Sequence, residues 1–206
     1  MPDANHRKAL GLVAATAAWD LFEAAVALYL GIRASSLALT AFGLDSGIEI
    51  AAACVLLWRL RLSFTGASED VIERGERRAM RFVGWTFFAL AAYVVARAAY
   101  QLGLGEAPAT SIAGVVLSVA ALVVMAGLAW AKLRVADAIA SAALRAEAKE
   151  SLACMYLAVA VLVGLEAHAL FGWWWADPVA ALAMVPWLLS EGREALEEAS
   201  EGSAEG

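Results

Sequence analysis

Ala38-Leu39-Thr40-Ala41-Phe42-Gly43-Leu44-Asp45-Ser46-Gly47-Ile48-Glu49 is the stretch on which the fold turns. It sets two carboxylates four residues apart inside a run otherwise apolar enough to cross a bilayer. On a helix, residues i and i+4 lie on one face a turn apart, so Asp45 and Glu49 point the same way. A charge at the bilayer centre costs roughly 2.5–3.5 kcal/mol on insertion scales, so such side chains face the interior of a bundle. Measured along the helix from Arg59, Asp45 lies roughly 20 Å and Glu49 roughly 15 Å away, well inside the hydrocarbon. The run itself holds no base that would neutralise them.

A second stretch answers the first: Ala143-Leu144-Arg145-Ala146-Glu147-Ala148-Lys149-Glu150-Ser151-Leu152-Ala153-Cys154. Laid under it, Ala, Leu and Ala coincide, Glu150-Ser151 falls beneath Asp45-Ser46, and Cys154 falls beneath Glu49. Taken alone, Glu150 beside Lys149 reads as the end of a helix, and a buried cysteine as a small apolar filler. Together the two stretches offer a pair of anionic ligands at i and i+4 from each of two helices. A buried site for a divalent cation requires such an arrangement. Asp45, Glu49, Glu150 and Cys154 are therefore the predicted metal ligands.

The rest of the chain agrees with a lipid environment. Of 206 residues 63% are hydrophobic and 17% charged, against about 45–50% and 25% in soluble domains. The net charge of -6 comes mostly from glutamates beyond Ser190. The remainder is close to neutral, so nothing points to nucleic acid. Cys54 and Cys154 sit inside apolar stretches and make no disulfide framework. Arg7 and Lys8 precede an apolar run too long for a signal peptide, which predicts a retained first span.

About 20 apolar residues span a bilayer as helix. Six segments qualify, at about 9–32, 34–58, 82–104, 110–131, 144–171 and 173–190, the last needing part of Trp173-Trp174-Trp175. Connections after spans one, three and five hold one base, Arg33. The other face holds Arg7, Lys8, Arg59, Arg61, Arg74, Arg77, Arg78, Arg81, Lys132, Arg134, Arg145, Lys149 and Arg193. That asymmetry predicts an all-α integral membrane protein with six transmembrane helices and both termini cytoplasmic. Residues 1–8 form a cytoplasmic N-terminus, 61–81 a solvated and partly helical connector, and 191–206 an acidic, disordered cytoplasmic tail. Spans two and five then run in opposite directions, as in transporters built from inverted halves.

The remaining membrane charges are expected to play supporting parts. Asp20 and Glu23 share a face of span one. Glu23 is expected to pair with Arg97 at similar depth, and both acids are candidates for a proton relay or for supporting the ligands from behind. Glu166 and His168 mark a wetted vestibule edge, and Cys54 is packing. Asp177-Pro178 caps and starts helix six. The three tryptophans form an interfacial belt, and Pro186 kinks helix six.

These residues resemble the cation diffusion facilitator family. Gly31 to Leu60 is similar to its helices one and two, where a small-residue turn precedes Ser-Leu-Ala-Leu and an acidic or His-x-x-x-Asp pair. Glu147 to Cys154, Val163-Gly164 and Trp175-Ala176-Asp177-Pro178 are similar to its fifth helix and the start of its sixth. The resemblance implies proton-coupled export of Zn²⁺-like divalent cations from a tetrahedral site shared by helices two and five, and a homodimer. Unlike that family's usual sites, none of the four ligand positions here is His, there is no His-rich loop, and the C-terminal cytoplasmic domain is expected to be absent, making this a short branch.

The reading is of a secondary transporter in the cell membrane whose partners are a divalent cation, protons and lipid. It has no resident cofactor: the metal is cargo, Zn first and Mn, Fe or Cd by ligand type. Like charges crowded in a low dielectric do not all stay ionised, so an emptied cluster takes up protons, giving antiport. The alternative is a non-transporting interaction or regulatory protein on the same scaffold. No nucleophile–base pair or phosphate loop suggests an enzyme.

Overall fold

The protein is described here from a computed structural model covering residues 4–64, 69–139 and 142–201. The side chains of 4–7, 10, 52–53, 55–57, 59–64, 69–73, 76, 139, 142–143, 146–147, 198 and 201 lie outside the description. The described residues form six helices: α1 (Ala4–Ala34), α2 (Leu37–Phe64), α3 (Glu69–Leu104), α4 (Ile112–Ile139), α5 (Ala142–Phe171) and α6 (Ala176–Glu201). Four of them are long and apolar enough to cross a membrane, over Gly11–Ala34, Arg77–Leu104, Ile112–Ala138 and Ala148–Phe171.

The helices pack as a closed ring in the order α1, α2, α3, α6, α5, α4 and back to α1. In addition α2 reaches across to α5 and α6, so it touches more neighbours than any other helix. Exchanging α1–α3 with α4–α6 reproduces these pairings apart from α2 against α6. Leu39 and Phe42 of α2, Val94 of α3, Leu157 and Val161 of α5 and Met184 and Leu188 of α6 fill the centre without exposure.

The distribution of polarity is inverted relative to a soluble protein. Leu21, Phe22, Ile32, Phe82, Trp85, Ile112, Val116, Val123, Leu170 and Phe171 face outward. Asp20, Glu23, Asp45, Ser46, Ser118, Lys132 and Ser151 are buried. Soluble monomers rarely expose apolar patches larger than a few hundred Å². Lipid makes such an exterior cheap and drives the carboxylates inward.

The turn between α1 and α2 shows how the bundle is closed at one end. Ser35 takes a positive φ of 53°, while Ser36 N–H donates to Gly31 O at 3.0 Å. Ser36 Oγ accepts from Leu39 N–H at 3.1 Å, an N-cap for α2. The Asp177 carboxylate then accepts from Ser36 Oγ–H and, at 2.7 Å, from Leu37 N–H. Asp177 therefore caps α2, some 140 positions away in sequence, rather than its own helix. Gln101 Nε2 from α3 donates to Ser35 O at 3.2 Å, binding the same corner.

Several boundaries differ from the sequence expectation, always because helix outlasts the apolar run. The expected 61–81 connector is helical up to Phe64 and again from Glu69. The tail expected to be disordered from Glu191 is helical to Glu201, with Ala195 and Ala199 buried; residues 202–206 lie outside the described residues. Lys132, counted above as a cytoplasmic base, is inside α4 and wholly buried. Cys54, read as packing, is exposed.

Candidate metal centre

The α1–α2 hairpin sets the site's register. Ser46 Oγ of α2 donates to Glu23 Oε1 of α1 at 2.9 Å, and Trp19 Nε1 donates to the other Glu23 oxygen at 2.7 Å. From that bond the antiparallel helices diverge symmetrically. Asp20 lies three residues back along α1 and Glu49 three on along α2, each near the face of its helix that carries this bond. Glu23 thus finds its donors in Ser46 and Trp19, not in Arg97 as the sequence suggested. Arg97 instead lies over the Tyr100 ring, 5.2 Å from its centroid. The expectation failed because depth along separate spans says nothing about which helices touch, and α1 packs on α2 and α4.

Asp45 is wholly buried, and both of its carboxylate oxygens lack a hydrogen-bond partner. A buried polar group without a partner is costly, and its persistence calls for a ligand or a proton. One turn further along α2, Glu49 meets α5. The Cys154 Sγ–H donates to Glu49, with its sulfur 3.6 Å from Oε2 and 3.9 Å from Oε1. The two helices carrying the matched stretches are therefore in side-chain contact at one of the two predicted rungs.

The Cys154–Glu49 contact is a thiol–carboxylate hydrogen bond, and its separation can be compared with that of two donors on one ion. Tetrahedral zinc holds sulfur at about 2.3 Å and carboxylate oxygen at about 2.0 Å, which puts the two donors about 3.5 Å apart. The Cys154–Glu49 separation is close to this value. Among the described residues, however, no group of three or more His, Cys, Asp or Glu side chains is placed to hold an ion. Asp45 lies a turn away from the contact, and Glu150, a turn from Cys154 on α5, is exposed.

A wider ring of acids surrounds these groups. Glu191, Glu23, Asp20 and Glu150 lie within electrostatic range of Asp45, and Asp20, Glu150 and Glu23 within that of Glu49. Glu191 was not identified from the sequence, which assigned it to the tail. The signal was present: Ala180, Met184, Leu188, Gly192, Ala195 and Ala199 recur at helical spacing, so the buried face of α6 runs straight past Glu191. Lys132 was missed for the same reason, at the end of a span. Glu166 and His168 are half-buried near the end of α5, away from these acids.

Known proteins place the chain in a family. An uncharacterized transporter of Synechocystis sp. is 29% identical over 167 residues, covering 78% of this chain. The chain spans about half of that relative, 54% of its length. Residues 13–201 match the cation efflux transmembrane domain. With nearly all of its helical bundle inside that match, the chain belongs to the cation efflux, or cation diffusion facilitator, family of multi-pass membrane transporters of metal cations.

Proposed function

We propose that the protein is a secondary transporter that exports divalent, zinc-like cations in exchange for protons, through a site between α2 and α5. Six spans with both termini cytoplasmic, in the cell membrane, complete the reading. The observation that carries it is the Cys154–Glu49 contact, at the separation two ligands of one tetrahedral ion would have, beside the partnerless buried carboxylate of Asp45. Asp45, Glu49 and Cys154 hold the ion, and Glu150 at the exposed edge completes the ligand set. Carboxylate and thiolate together accept Zn, Cd, Mn or Fe.

The proton coupling follows from the same bond. A thiol binds metal only as thiolate, so the proton that Cys154 shares with Glu49 must leave as the ion arrives. Asp20 and Glu23, both buried on α1, which packs against α2, are the groups that take protons from the cluster. Rocking of one half of the bundle against the other would expose the site alternately to each side. The family's homodimer is a further part of the reading.

The test is zinc uptake into proteoliposomes under a pH gradient. Wild type should take up zinc and raise the lumenal pH in step. Asp45→Ala combined with Glu49→Ala should lose transport at least tenfold; undiminished uptake would end the proposal. The rival reading is a non-transporting interaction protein on this scaffold, favoured by the lack of three converged ligands among the described residues. It requires that the intact protein in detergent bind no zinc, cadmium or manganese.

A further inference from the structure

The outer face of the α4–α5 hairpin carries an arrangement of bases that the proposed exchange does not use. Two cross-links fix the register of this antiparallel pair. Lys132 Nζ of α4 donates to Ser151 Oγ of α5 at 3.1 Å, and Arg145 of α5 pairs with Asp137 of α4 at 2.6 Å. Counting two residues along each helix from the first link brings Arg134 level with Lys149. On α4, Trp130, Arg134 and Asp137 recur at helical spacing, and on α5 so do Arg145, Lys149 and Leu152. All six are exposed, and the Asp137–Arg145 bridge joins the two rows into one surface.

The chemistry of that surface changes sharply along the helices. The Arg134 guanidinium lies over the Trp130 ring, 3.9 Å from its centroid. A ring attracts the cation without cancelling its charge, and it leaves most of the N–H fork to an anion. Asp137, three positions on and the ordinary helical partner for Arg134, is engaged by Arg145 instead. Arg134 and Lys149 thus present two positive charges near the ends of two candidate membrane spans, Ile112–Ala138 and Ala148–Phe171. Toward the middle of those spans the exposed side chains are apolar: Trp130 and Leu152 first, then Val123 and Val159. A pair of bases at the end of an apolar strip is the complement of a phospholipid, with its phosphate at the bases and its chains along the strip.

We propose that this face of the α4–α5 hairpin is a binding site for an anionic phospholipid, whose headgroup phosphate is held by Arg134 and Lys149 while its acyl chains lie against Trp130 and Leu152. The planar fork of Arg134 suits a phosphate, and Lys149 adds a second charge from the facing helix. A zwitterionic lipid offers the same phosphate but brings an ammonium that the two bases repel. The site therefore selects headgroups of net negative charge. Each base at a membrane surface contributes about fivefold in affinity for such lipids. The binding is independent of the metal site, which lies on the inner side of α5.

The experiment titrates phosphatidylglycerol and phosphatidylcholine of matched chains into the purified full-length protein in detergent and counts bound lipid by native mass spectrometry. Wild type should bind phosphatidylglycerol more tightly than phosphatidylcholine. Arg134→Gln and Lys149→Gln should each weaken phosphatidylglycerol about fivefold and leave phosphatidylcholine unchanged. Arg193, an exposed base on α6, serves as the control for general surface charge, and Arg193→Gln should bind both lipids as wild type does. The substituted positions are all exposed, and wild-type helical circular dichroism verifies the fold of each variant. Equal affinity of wild type for the two lipids overturns the proposal. So does undiminished phosphatidylglycerol binding when Arg134→Gln and Lys149→Gln are combined, or an equal loss in Arg193→Gln.

Discussion

At the scale of single residues, Asp177 shows how far a side chain's work can lie from its place in the chain. Asp-Pro at a helix start is a local capping signal, yet the Asp177 carboxylate is spent on Ser36 and the first amides of α2. The N-terminal amides of a helix have no intrahelical acceptors, and in lipid no water replaces them. Asp177→Ala should therefore destabilise the bundle by about 2 kcal/mol. Asp177→Asn, which keeps an acceptor, should cost less. Thermal unfolding in detergent measures both, and an unchanged midpoint for Asp177→Ala would remove the cap from the account. Glu23 carries the same lesson: its donors come from its own helix and the adjoining α2, not from the arginine at matching depth.

Among the elements, the helix packing depends on where side chains are missing. A methyl built at Gly43 of α2 would sit 2.8 Å from the backbone nitrogen of Leu28 on α1, whereas one at Gly47 meets nothing within 4 Å. The same substitution should thus have opposite signs one turn apart. Gly43→Ala forces the hairpin open and should destabilise by about 1–3 kcal/mol. Gly47→Ala should be neutral or stabilising by up to about 1 kcal/mol, through helix propensity. Paired melting curves in detergent decide it, and equal effects would mean the α1–α2 approach is looser than described. Both glycines look alike in sequence, because the pattern of small residues does not say which faces a neighbour.

For the whole molecule, the proposed topology puts the α3–α4 connection on the face opposite the start of α3. Glu106 in that connection and Arg74 of α3 are both exposed. With Cys54 and Cys154 replaced by Ser, a membrane-impermeant thiol reagent applied to intact cells should label Glu106→Cys at once. Arg74→Cys should be labelled only after permeabilisation. Labelling of both from outside would refute the six-span arrangement with cytoplasmic termini.

Much of this protein was legible in its residues. Apolar length and the bases crowded into alternate connections are local properties, and so they announced a membrane bundle. Carboxylates inside apolar runs announced acids facing the bundle interior, as Asp20, Glu23 and Asp45 do, because lipid penalises a charge wherever the chain goes. The match between the stretches ending at Glu49 and Cys154 foretold that α2 and α5 would meet, and those two side chains do touch. Partnership between distant groups was decided only by tertiary packing. The ring order determined that Glu23 would face Ser46 rather than Arg97, that Asp177 would serve α2, and that Lys132 and Glu191 would lie within the bundle. Spacing along one helix orders its own faces, but which face meets which neighbour depends on how six helices share one core.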